Sequence, residues 1–155
     1  MKKVLFISST GGHLSELLQL EPLFSKYEYH FITEKTKSTL ALKKKYKNVN
    51  YLVFGTKDHP FSYFFKFFYN CLKSFCLYLK IRPKVIVTTG AHTVVPICYI
   101  SKLFGTKIIF IETFANINSK TITGKLIYPI ADLFIVQWES MLKLYPKAVF
   151  GGWIY

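Results

Sequence analysis

Six short runs of β-branched and aromatic residues recur along this chain, separated by stretches with helical spacing. The runs are 3–8, 29–33, 49–54, 84–89, 107–111 and 133–137. The helical stretches are 13–25, 36–47, 60–81, 93–104, 120–130 and 138–144, with Pro22 expected to kink or end the first. Strands alternating with helices predict repeated βα units and a parallel, doubly wound α/β sheet. The first run, Val4-Leu5-Phe6-Ile7, is apolar throughout, as a strand buried on both faces must be. The length, 155 residues, fits a single domain spanning 1–155, with no repeat or linker.

In such sheets ligands bind beyond the carboxyl ends of the strands, and three polar turns fall there. The first, Ser9-Thr10-Gly11-Gly12-His13, leaves its strand through two glycines, which allow open backbone angles and close approach of a ligand. The N–H groups of the following helix favour an anion in that space, although a glycine turn chosen only for its shape fits the same residues. His13 adds a titratable group at its mouth. The second turn carries Gly90 and His92, and the third carries Glu112 and Thr113. His92 or Glu112 alone reads as a cap or loop hydrogen-bonding group; their shared edge of the sheet makes them site candidates.

Several function classes lack their signatures. There is no G-x-G-x-x-G turn, no GK[ST] phosphate loop and no G-x-S-x-G elbow. Asp58 and Asp132 are the only aspartates, so no D-x-D pair exists to hold a metal against a diphosphate. The scattered histidines and cysteines give no metal-ligand spacing, so neither a metal nor another cofactor is expected. Cys71, Cys76 and Cys98 form no CxxC pair and are expected as free thiols in a reducing cytoplasm.

The net charge is +13, and every cation but Arg82 is a lysine. Lysine is a hydrated point charge, which suits a visitor to an anionic surface better than a reader of base edges. The stretch 59–83 is the most unusual in the chain. On a helix over about 60–81, Lys66, Lys73 and Lys80 fall nearly in line, with Ser62, Asn70 and Ser74 beside them. The other face is aromatic and apolar, including Phe64, Phe67, Phe68 and Phe75. Three lysines argue against a transmembrane span and for a helix lying in an anionic membrane interface. A core helix with its lysines toward water is the alternative. It would leave half of the apolar face in need of a lipid or protein cover. Lysines 35, 37, 43, 44, 45 and 47 are placed to join the same surface.

Three blocks in order, ISSTGGHLSELL, VTTGAHTVVP and the stretch from Ile111 to Gly152, carry a family resemblance. The chain resembles the accessory subunits of bacterial capsular and exopolysaccharide glycosyltransferases of the PssD/CpsF type. It is similar also to the membrane subunit of the eukaryotic enzyme that adds the second N-acetylglucosamine to dolichol-linked precursors. The most specific part runs from Ser119 to Gly151, with Thr123-Gly124-Lys125, Ala131-Asp132 and Val136-Gln137-Trp138. It departs from the family pattern at Thr113, Asn116 and Glu139.

The resemblance implies a Rossmann-like fold equivalent to the amino-terminal half of a GT-B glycosyltransferase. It implies an acceptor-binding subunit, peripheral on the cytoplasmic face of the membrane, that extends a lipid-linked saccharide. A separate catalytic subunit would supply the nucleotide-sugar site. By the same match, Gly11 and Gly12 admit phosphates or sugar closely, and His13 and Glu112 are the acid–base candidates; Ser9, Thr10, Gly90, His92 and Thr113, from the same three turns, are the further substrate-binding candidates. Trp138 and the apolar tail Trp153, Ile154 and Tyr155 are expected to dock on the catalytic subunit, or else to pack on their own domain. Two other readings stand beside this one: a self-sufficient transferase using its own glycine loop for the nucleotide sugar, and a basic nucleic-acid-binding module. The shortage of arginine and the lack of cations interleaved with the aromatics weigh against the last.

Overall fold

The computed structural model describes residues 1–55 and 60–154. Asp58, His59 and Tyr155 lie outside the described residues, and the side chains of 60–63 are likewise not described. Seven parallel strands form one sheet: β1 (Lys3–Ser8), β2 (Glu28–Lys35), β3 (Val49–Val53), β4 (Val85–Gly90), β5 (Lys107–Ile111), β6 (Leu133–Val136) and β7 (Val149–Phe150). Their order is β3-β2-β1-β4-β5-β6-β7. The direction of winding reverses between β1 and β4, which opens a crevice at their carboxyl ends. Six strands match the expected runs; the two-residue β7 carries no sequence signal of its own.

Alternation along β1 explains the two-sided core. Leu5 and Ile7 join Ile32, Ile86, Ile108 and Phe110 on one face. Helices α4 (Pro60–Ile81) and α5 (Val95–Leu103) supply Leu77, Ile81, Ile97 and Cys98 to that cluster. Val4 and Phe6 face the other way, onto Leu14 and Leu17 of α1 (Gly12–Leu18) and Phe24 of α2 (Glu21–Phe24). The thiols of Cys71, Cys76 and Cys98 are unbridged, and full burial pushes that of Cys98 up to about 12.

Several helices are shorter than their sequence pattern. The stretch 13–25 breaks at Gln19 and Leu20, because Pro22 has no N–H to continue α1 and instead opens α2. Within 36–47 only α3 (Leu42–Lys45) is helical. Thr36 and Thr39 close a hydroxyl-bonded turn, in which Thr39 Oγ1 donates to the Glu34 carbonyl at 2.7 Å. In the segment 138–144, residues Glu139–Lys143 form a 3-10 turn. Thr121 caps the start of α6 (Ile122–Ile127), accepting from the Gly124 N–H at 2.8 Å.

Helix α4 has the expected bounds but another orientation than simple patterning suggests. Asn70 and Ser74, expected on one polar arc with the lysines, are instead buried against the protein. The Asn70 amide both donates to and accepts from the backbone of Val53 at 2.8 Å, tying the helix to edge strand β3. Leu77, Tyr78 and Ile81 complete the inward side. Phe64, Phe65, Phe68, Tyr69, Leu72, Phe75 and Leu79 all face outward on one arc of about 140°. Lys80, Lys73 and Lys66 follow in that order beyond the Tyr69 edge of the arc, about 20°, 40° and 60° from it. Phe68 keeps 59% of its surface exposed and Leu72 55%, an apolar patch far beyond scattered surface residues. No helix among the described residues is long and apolar enough to cross a membrane.

Candidate functional site

A cavity of about 420 Å³ opens at the β1/β4 crevice. His13, Gly90, His92 and Glu112, from three separate turns, line it together. Sequence reasoning missed the polar residues that join them in the lining: Thr89, Lys120, Thr121 and Thr123. The Thr121-x-x-Gly124 spacing, a hydroxyl one residue before a helix, is the signal that marks Thr121.

The turn after β1 is held rather than merely flexible. Ser9 N–H donates to the Gly90 carbonyl at 2.9 Å, and the Ala91 N–H donates back to Ser9 Oγ at 3.2 Å. Glu34, buried at the end of β2, accepts from the Thr10 N–H at 3.1 Å and from Thr93 Oγ1 at 2.7 Å. One carboxylate thus fastens the first turn to the second; the sequence offers no pattern that singles out Glu34. Gly11 takes a φ of +82°, which favours glycine there. Ser9, Thr10, Gly11 and Gly12 do not line the cavity. A Cβ at Gly11 or Gly12 would meet nothing within 4 Å, so the space above this turn is open.

Gly90 is required for a different reason. Its φ is +103°, a conformation that side chains rarely adopt, and its Cβ position lies in van der Waals contact with the His13 ring, 3.4 Å from Cε1 and Nδ1. His13 is further placed by Thr89, whose hydroxyl donates to its carbonyl at 2.7 Å. The buried Nδ1 of His13 lies 3.9 Å from Glu16 Oε2, one helical turn on. The other oxygen of Glu16 accepts from Thr113 Oγ1 at 2.7 Å and from the Phe114 N–H at 3.1 Å. Thr113 stands outside the cavity lining, with its hydroxyl engaged on Glu16.

Glu112 is 1% exposed and densely bonded. Its carboxylate accepts from Thr121 Oγ1 at 3.0 Å, from Tyr145 Oη at 3.0 Å and from the Thr113 N–H at 3.2 Å. Burial raises its pKa above the ordinary carboxylate value, against the pull of these donors and of His13. The Tyr145 hydroxyl is pushed up as well, by burial and by the Glu112 charge. Gly124 fits against this network because it has no side chain: a Cβ would collide with Glu112, Tyr145 and Thr121. Lys120, in the cavity lining, holds its ammonium 5.1 Å from the Tyr145 ring centre. Among the described residues, no group of three His, Cys, Asp or Glu side chains is placed to hold a metal.

Behind the third turn, Trp138 donates its indole N–H to the Phe114 carbonyl at 2.8 Å, and the Phe114, Trp138 and Trp153 rings cluster. The Ile154 N–H donates to Gln137, and its side chain packs on the core. Trp153 remains 73% exposed.

The same chain path occurs in the crystal structure of Acinetobacter baumannii MurG, with a TM-score of 0.73 at 14% identity over 90% of this chain and 43% of that one. It occurs also in the UDP-GlcNAc 2-epimerase of Methanocaldococcus jannaschii, with a TM-score of 0.73 at 15% identity over 94% of this chain and 42% of that one. The fold is therefore a Rossmann-like α/β unit of the kind that forms one half of a GT-B glycosyltransferase. Within that class the chain belongs to the family of Alg14-like oligosaccharide biosynthesis proteins, whose pattern matches residues 4–154. The Candida albicans protein called UDP-N-acetylglucosamine transferase subunit ALG14 is 44% identical over 90 residues, covering 54% of this chain and 41% of that protein. The Mus musculus protein of the same name is 27% identical over 179 residues, covering 97% of this chain and 82% of that protein. The matched region thus spans about two fifths of the fungal relative and about four fifths of the mouse one.

Proposed function

We propose that this chain is the acceptor-side subunit of a two-chain glycosyltransferase that extends a lipid-linked saccharide at a membrane surface. The observation that carries the reading is the pairing, on one unit, of an outward aromatic arc on α4 with the cavity at the β1/β4 crevice. The arc seats the protein among lipids, and Lys66, Lys73 and Lys80 favour an anionic leaflet. A saccharide on a lipid carrier reaches the cavity from that surface. The names of the family relatives make UDP-N-acetylglucosamine the donor to try first. We assign the protein to the PssD/CpsF type of capsular and exopolysaccharide synthesis, at the cytoplasmic face of the membrane.

In the proposed reaction the acceptor hydroxyl sits beside His13. Nδ1 faces Glu16, so Nε2 takes the hydroxyl proton while the oxygen attacks the anomeric carbon and the nucleoside diphosphate departs. Glu112 at the back of the cavity favours the imidazolium that forms. Lys120, His92 and the open space above Gly11 and Gly12 are the places for phosphate oxygens and sugar. The nucleotide half-site belongs to a partner chain, which docks against Trp138, Trp153 and Ile154; Tyr155 lies outside the described residues.

The test is sugar transfer from UDP-N-acetylglucosamine to a lipid-linked acceptor, with this chain, a candidate catalytic chain, and both. Strong transfer only with both supports the split enzyme. Full transfer by this chain alone would show a self-sufficient transferase and remove the partner from the reading.

A further inference from the structure

A second cavity, of about 350 Å³, lies away from the β1/β4 crevice, between the end of β2, α3, β3 and α4. Lys35, Lys43 and Lys73 line it with Asn50, Tyr51 and Leu77, and among the described residues no carboxylate does. Among the described residues, the ion pairs engage Lys3, Lys45, Lys102 and Lys107, and none of these three. Three lysines around one cavity, with no ion pair to neutralise them, give it a positive potential that favours an anion.

The surroundings favour one kind of anion. Lys43 holds its ammonium 5.1 Å from the Tyr51 ring centre, while the Tyr51 hydroxyl is engaged on the Thr39 carbonyl. The cavity wall is thus part aromatic and apolar, part cationic, which suits a phosphate carrying an organic substituent. Lys73 links the cavity to the outward arc: its ammonium lies 5.6 Å from the ring centre of Tyr69, one of the exposed aromatics. A phosphate in this cavity would therefore sit level with the border of the surface assigned to lipid.

We propose that this cavity binds a phosphate ester, and that its occupant is the headgroup phosphate of an anionic phospholipid. The assignment of the occupant rests on the membrane-facing reading of α4; the anion site itself does not. It gives the protein a fixed rotation on the membrane, with α4 flat and β3 toward the headgroups.

The experiment uses the full chain in two assays. The first is flotation with vesicles of phosphatidylcholine alone or mixed with phosphatidylglycerol; the second is an amide chemical-shift titration with soluble sn-glycerol 1-phosphate. The triple variant Lys35→Gln, Lys43→Gln, Lys73→Gln should lose its preference for the anionic vesicles by roughly 10- to 100-fold. It should keep its residual binding to neutral ones, and the triple Lys→Arg variant should keep the preference. Glycerol phosphate should shift the amides of Lys35, Asn50, Tyr51 and Lys73 in the wild type and not in the triple Gln variant. A Phe68→Ser, Leu72→Ser variant should lose both kinds of vesicle and keep the titration, which separates the site from the arc. An unchanged anionic preference in the triple Gln variant, or shifts centred on other lysines, would overturn the proposal. Wild-type protein that floats with no vesicle, yet binds inorganic phosphate as well as glycerol phosphate, would sink both the headgroup assignment and the membrane reading.

Discussion

His13 Nδ1 stands 3.9 Å from Glu16 Oε2; both atoms are buried, and neither has a hydrogen-bond partner among the described residues. Two buried polar atoms left facing each other in this way are costly unless charge develops between them. A proton accepted at His13 supplies that charge, and Glu16 then orients and stabilises the ring. The arrangement gives His13→Ala and Glu16→Gln different expected effects. His13→Ala should lower kcat of the assembled enzyme by roughly 10²- to 10⁴-fold. Glu16→Gln keeps an amide oxygen for Thr113 and Phe114 but loses the charge. It should lower kcat by about tenfold with KM little changed. Steady-state kinetics on the two-chain enzyme check both, and full activity in the His13 variant would remove it from the chemistry.

The glycines make a sharper contrast. Gly124→Ala drives a methyl group into Glu112, Tyr145 and Thr121, all held in one hydrogen-bonded network. It should cost about 1–3 kcal/mol in urea unfolding. Gly12→Ala meets no neighbouring atom and occupies the first position of α1, so its stability should be unchanged or slightly higher. If substrate approaches that turn closely, Gly12→Ala should nonetheless lose transfer. A stable and fully active Gly12→Ala protein would show that the glycine serves only the turn.

The alternation of apolar runs and helical stretches is legible because burial on both faces of a parallel sheet demands it, and six of seven strands follow. His13, Gly90, His92 and Glu112 are legible as a set because doubly wound topology brings the strand ends together. Glu34 and Glu16 are not, because each acts through partners 24 and 97 residues away. Nor is the rotation of α4, since helical periodicity separates two faces without saying which one packs inward. That choice is made by Asn70 reaching the backbone of Val53.

The Asn70 clamp is testable on its own. Its amide satisfies both backbone groups of Val53 on an edge strand, where water or another strand would otherwise pair with them. Asn70→Ala should leave those groups without their partner and cost about 1–3 kcal/mol. Hydrogen exchange at the Val53 N–H should accelerate well beyond the change in global unfolding. Unaltered exchange there would mean that the apolar contacts of Leu77 and Ile81 hold α4 without the amide.

Asp132 provides a pH-dependent test far from the candidate site. Burial would raise its pKa, but Lys102 at 2.6 Å, the Ile108 N–H at 2.9 Å and Lys107 at 2.9 Å outweigh it and hold the carboxyl well below its ordinary value of 3.8. The unfolded chain therefore takes up this proton at higher pH than the folded one. The resulting stability is complete above about pH 5 and is lost as pH falls below 4 toward the folded-state value. Glu112 acts with the opposite sign: its raised pKa lets the folded state keep a proton above 4.5, so its contribution declines as pH rises through that window. Asp132→Asn should lower stability at neutral pH by on the order of 1–2 kcal/mol and flatten the acid limb. Urea unfolding of wild type and variant from pH 7 down to pH 3 reads both effects. If the two curves stay parallel throughout, Asp132 contributes no proton-linked stability and the lysines beside it are ordinary surface charges.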